Sequence, residues 1–204
     1  MPESVAGRQS RDDLPTIVRW ARIALTLALV PVAAYRLNNP GMWLPLIGDI
    51  NVAVHEFGHM LFMPFGVPVL GETMVILGGS LVQVLFPAVF VGYFTFGPRK
   101  HRDLHAATIC VWWLSISLLE LSVYVADARA RDLTLINGLT GRESDSHDWY
   151  NLLSQWGLLQ YDLVYARTMR VLAGFLLVVS TVGGIAAAWF GGRSTPKPAD
   201  TAVA

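Results

Sequence analysis

The sequence predicts an all-α integral membrane protein: a bundle of about five transmembrane helices with a polar loop and an interfacial amphipathic helix before the last span. Three observations lead there. Of the 204 residues, 53% are hydrophobic and 15% charged, and the mean hydropathy is +0.46, well to the apolar side of soluble domains. Five stretches approach the ~20 mostly apolar residues that a membrane crossing needs. Most of the remaining polar side chains gather in one connection, from Asp127 to Tyr165.

Residues 1–16 read as a polar N-terminal tail and 17–190 as one multi-span domain, with 191–204, which include "RSTPKPADTAVA", as a disordered tail. The first span is Ile17–Tyr35. Basic residues before it and Val32-Ala33-Ala34 within it resemble a secretory signal. Asp12, Asp13 and the long polar lead favour an uncleaved anchor. The second candidate, Trp43–Phe65, is interrupted by Pro45, Asp49, Asn51 and a histidine pair. It reads as a span or as a helix surrounded by the others. Pro64, Gly66, Pro68, Gly71, Gly78 and Gly79 then predict a turn or short extended segment. Met74–Phe96, Ala106–Ala126 and Met169–Phe190 complete the five.

Before the last span, Trp149, Leu152, Leu153 and Trp156 recur at helical spacing in "HDWYNLLSQWGLL". This predicts an amphipathic helix lying at the interface or packed on neighbouring spans, with Ser144-Asp145-Ser146 offering helix-start chemistry. The balance of Arg and Lys favours a cytoplasmic N-terminus. A net charge of zero and dispersed basic residues exclude a nucleic-acid face. The lone Cys110 excludes an intrachain disulfide and a cysteine zinc site.

The stretch "NVAVHEFGHMLF", Asn51–Phe62, carries the chemistry. His55 and His59, four apart on a helix, project from one face and can share an ion. Glu56, displaced around the helix, can reach a water on that ion as a general base, which is the HExxH arrangement of zinc hydrolases. Chance produces this string in roughly one of a few hundred chains of such length. An acidic group in an apolar helix, however, costs about 2.5–3.5 kcal/mol unless it meets a cavity or a partner.

A catalytic zinc ion needs a third protein ligand. His147 and Asp148 are the candidates; either would ligate, and the other would orient a ligand imidazole. Asp127 is a further candidate. His101 and His105 sit in the basic loop "GPRKHRDLH", which favours a solvated role. Glu120 reads as a helix-to-helix hydrogen-bonding group or as part of the site. Gln83 and Asn51 either hold a ligand or polarise a substrate carbonyl, or they join helices. Gly58 leaves room for a second backbone.

With "HEFGH" in an apolar segment, the chain resembles the intramembrane zinc metalloproteases of the site-2 protease class over roughly Asp49–Phe65. The resemblance implies His55 and His59 as ligands of Zn2+ and Glu56 as base. In that class the third ligand is an aspartate of an Asp-Gly pair on a later membrane segment, and this chain has no Asp-Gly. Together, "HEFGH", "GGSLVQ", "VADAR" and "HDW" are similar to a group of small bacterial membrane proteins, which implies a bacterial cytoplasmic membrane but no activity.

The expected function is an integral-membrane zinc peptidase that cuts a peptide bond in or near the bilayer, with lipid around it and a membrane protein or peptide as substrate. The alternative is a non-catalytic membrane protein in which His55, His59, His147 and Asp148 close a structural metal site that ties the 127–149 loop to the bundle. A metal transporter would need several polar clusters along a pathway, and one is evident.

Overall fold

The computed structural model describes residues 14–65 and 71–191. The expected tails therefore lie outside the described residues, apart from their innermost positions, and so do residues 66–70 of the expected turn. The described elements are helical: α1 (Thr16–Asn38), α2 (Ile47–Phe65), α3 (Glu72–Phe96), α4 (Leu104–Ala126), α5 (Gly141–Ser144), α6 (Asp148–Gln155) and α7 (Asp162–Phe190), with 3-10 turns at Arg99–His101 and Leu159–Tyr161. No β-strand occurs among the described residues; one isolated bridge joins Thr134 to Thr140.

Helix boundaries follow local chemistry. Pro15, which has no N–H to leave unpaired, opens α1, and Asn39-Pro40 ends it. The Asp103 carboxylate caps α4 by accepting from the His105 and Ala106 amides. Thr140 and Glu143 form a reciprocal capping box on α5. Gly78 and Gly79, which suggested a turn, are instead interior to α3. Their missing side chains serve helix packing rather than chain reversal.

Among the described residues, four helices are long and apolar enough to cross a membrane: α1, α3, α4, and α7 with the turn before it. These are four of the five expected spans. The fifth candidate, α2, carries Asp49, Asn51, His55, Glu56 and His59 and is not among them. The start of α1 meets the end of α3, where Arg22 pairs with Asp103 at 2.6 Å. It also meets the end of α7, where Trp20 lies edge-on to Trp189. At the opposite end, Arg36 near the end of α1 approaches Glu120 of α4, and Arg129 pairs with Asp162 at the start of α7. The end of α1 thus lies beside Glu120 inside the bundle, and α2, which starts from there and runs back along α3, carries too many polar side chains to count among the four.

The most buried of the four is α4, with half of its apolar stretch enclosed, against 11% for α1. Ile116 and Leu119 of α4 pack with Ala33 of α1 and with Ala173 and Leu177 of α7. A second cluster joins Val125 and Ala128 to Trp149, Leu153 and Ala166. The amphipathic stripe of α6 thus faces inward, and of its four members only Trp156 is exposed. That is the packing alternative, driven by removing Trp149, Leu152 and Leu153 from solvent. Outward-facing Val171, Phe175, Val178 and Val182 leave α7 with an apolar outer surface, a face suited to lipid.

Candidate metal centre

The cluster is assembled where α2 lies against α3. A Cβ on Gly58 would collide with the Gly78 carbonyl, and one on Gly78 would lie 2.8 Å from the Gly58 oxygen. Two glycines facing each other let the helices meet backbone to backbone. That proximity brings two i, i+4 rows into antiparallel register. His55 and His59 of α2 face Gln83, Gly79 and Val75 of α3. His55 Nδ1 bonds the Gln83 side-chain oxygen at 2.9 Å, and His59 Nδ1 bonds the Val75 carbonyl at 2.8 Å.

These partners fix the rings. A backbone carbonyl can only accept, so His59 donates from Nδ1 and turns Nε2 toward Asp148, where a proton favoured by Asp148, which raises the His59 pKa to about 9, or a metal ion in its place can sit; the Gln83 oxygen orients His55 in the same way. Both Nε2 atoms then turn toward Asp148, whose Oδ2 lies 3.1 Å from one and 3.2 Å from the other. A Glu56 carboxylate oxygen and the two imidazole donor atoms all fall within 4.8 Å of one another.

Asp148 reaches the cluster because α6 is pinned on three sides. Its first residue donates its amide to the Tyr124 hydroxyl at 3.0 Å. The Trp149 indole donates to Ser80 of α3 at 3.0 Å, and Thr73 donates to Gln155 at 2.8 Å. Burial works to raise the Asp148 carboxyl, but the two imidazoles outweigh it and hold its pKa down at about 2.

The geometry accepts a metal ion. Two imidazole nitrogens and a carboxylate oxygen this close are held together either by protons on the nitrogens, the state in which Asp148 raises the His59 pKa to about 9, or by a metal ion that replaces those protons. Donors held 2.0–2.1 Å from a tetrahedral zinc ion stand about 3.3 Å apart, close to the separations found here. The space beside them is kept by Gly79, where a Cβ would lie 2.5 Å from His59 Nε2 and 2.6 Å from His55 Nε2.

His147 is not brought to the cluster. It is fully buried and caps α6, its Nδ1 accepting from the Tyr150 amide at 3.2 Å. Its Nε2 faces Asp127 at 3.3 Å, and its ring lies against Tyr124. Burial pushes its pKa down, opposed by Asp127. With Nδ1 committed to the helix start and Nε2 to Asp127, His147 orients the loop rather than a ligand imidazole. It also supplies the helix-start chemistry that Ser144-Asp145-Ser146 were expected to give. Asp127 accepts from the Asp132 and Leu133 amides as well.

Asn51 joins helices, donating to Glu120 and accepting from Trp113 and Ser117. His101 is exposed. His105, expected to be solvated, is buried at the far end of the bundle against Thr26 and the Arg22 carbonyl. There the α4 cap turns it inward.

A cavity of about 870 Å³ opens beside the cluster, lined by Glu56, Gln83, Glu120 and Tyr124 and by residues 134–137 of the loop. Tyr124 and Ser80 were not singled out from the sequence, and Gly79 reads there as part of a turn rather than of the site. The signal for Gly79 was its place four residues before Gln83, matching the histidine spacing. Comparison with protein-family models, curated proteins and solved structures gives no match.

Proposed function

We propose that this chain is an integral-membrane zinc-dependent peptidase in which His55, His59 and Asp148 hold the metal and Glu56 is the general base. The supporting observation is the convergence of two Nε2 atoms on one carboxylate oxygen, with both Nδ1 positions already engaged. Bound zinc would lower the pKa of its water to about 7 and polarise a carbonyl.

The chain's own groups supply the rest. Glu56, displaced around α2 from the ligand face, lines the cavity, placed to take a proton from the attacking water and deliver it to the leaving amine. The Gln83 and Val75 oxygens keep each imidazole in the ligating tautomer. Relative to the site-2 protease class, the acidic ligand comes from a short helix after a polar loop and is followed by Trp149 rather than glycine. The closed four-ligand site is less well supported, since the His147 ring is engaged elsewhere.

The test is metal content and casein hydrolysis by the detergent-solubilised protein. Wild type is expected to carry close to one zinc per chain. Glu56→Gln is expected to keep that zinc and lose turnover by about 100-fold or more. Undiminished turnover in this variant removes Glu56 as base, and absence of zinc in the wild type removes the proposal.

A further inference from the structure

Gln83 is 5% exposed and lies in the interior of α3, the most hydrophobic of the long helices by composition. Both ends of this amide need a partner, and its NH2, which is not among the fully enclosed unpaired atoms, opens onto accessible space. Its oxygen is committed to His55 Nδ1 at 2.9 Å. Its NH2 makes no hydrogen bond among the described residues, while the side chain lines the cavity that holds Glu56. Since the amide is planar, fixing the oxygen on the imidazole also fixes where the NH2 points.

From this geometry we propose that the Gln83 NH2 binds substrate: it donates to a backbone carbonyl of the peptide in the cavity while the same amide's oxygen holds His55. The inference rests on the peptidase reading and extends it to a substrate class. No Lys or Arg lines the cavity, whereas Asp49, Glu56, Glu120 and Asp148 do. A neutral donor suits a peptide carbonyl, and the surrounding carboxylates repel a free C-terminal carboxylate. The substrate is therefore an internal peptide segment, cut as an endopeptidase cuts. One amide thus serves two partners, ordering the ligand and the peptide together.

The experiment measures binding of a hydroxamate-capped tripeptide, ending either as the amide or as the free acid, to detergent-solubilised protein at saturating zinc. Wild type is expected to bind the amide form more tightly than the acid. Gln83→Glu keeps an acceptor for His55 but removes the donor, and Gln83→Met removes both; each is expected to weaken the amide form about tenfold. Unchanged affinity in either variant, or preference for the acid form, overturns the inference and leaves the peptidase reading standing. A zinc-loaded wild type that binds neither hydroxamate overturns both.

Discussion

Two imidazole lone pairs aimed at one carboxylate oxygen form a set of like polarity, so the occupant of the space between them must be a cation. Protons and a metal compete for it. Zinc affinity is therefore expected to fall as pH drops below about 9, the value to which Asp148 raises His59, because protons on the Nε2 positions must then be displaced. A zinc indicator titrated at several pH values checks this, and a flat profile contradicts the donor set. The metal-free chain behaves differently. Asp148 is held below its ordinary value, so its pairing stabilises the fold above pH ~4 and is lost only as pH falls toward its folded value. Gly79 makes the sharpest single test. In Gly79→Ala the new methyl would lie 2.5 Å from His59 Nε2 and 2.6 Å from His55 Nε2, so zinc content is expected to fall from near one per chain to near zero while the helical circular dichroism is retained. Undiminished zinc in that variant moves the ion elsewhere.

Among the elements, α6 turns two ligands into three. Its hold on the bundle includes the Trp149 indole donating to Ser80. Ser80→Ala leaves that buried N–H without an acceptor, at a cost of about 1–3 kcal/mol. The expected result is weaker zinc binding with His55 and His59 untouched, read by competition with a chelator; unchanged affinity detaches α6 from the site. This element also shows where sequence reading stops. The i, i+4 spacing of His55 and His59 was open to inspection, because ligand and framework share one helix. Choosing between His147 and Asp148 was not, because adjacent residues at a helix start differ only in which way the cap turns them. That direction is set by Tyr124, Asp127 and Ser80, which are 20 or more residues distant in the chain. The stripe Trp149, Leu152, Leu153 likewise announced an apolar face, while its contact with Val125 and Ala166 depended on tertiary packing.

At the scale of the molecule, the long apolar helices were plain from hydropathy, but the number of crossings was not. Composition cannot distinguish a helix that traverses the bundle from one, like α2, that begins within it and returns to the same end. With four crossings the two chain ends share a face, and the metal cluster stands nearer the other. The end shared by α1's start and α3's finish carries Arg19, Arg22, Arg99, Lys100 and Arg102 against Asp103, a balance from which we infer a cytoplasmic placement for this end. Single cysteines placed at Lys100 and Asn137 in a Cys110→Ser background are expected to react with an impermeant maleimide only at position 137 in intact cells. The reverse pattern inverts the orientation, and labelling of both removes the four-crossing arrangement.

Asp148 comes 89 residues after His59 in the chain, beyond three of the four long helices, and this separation bears on how the protein is made. While the ribosome is still extending the polypeptide, the two imidazoles emerge long before their carboxylate partner and have nothing to complete the cation's shell. On the peptidase proposal, a half-synthesised molecule would therefore be inert toward its neighbours at the translocon, and hydrolytic competence would arrive late, when the segment bearing the aspartate folds back onto the earlier helices.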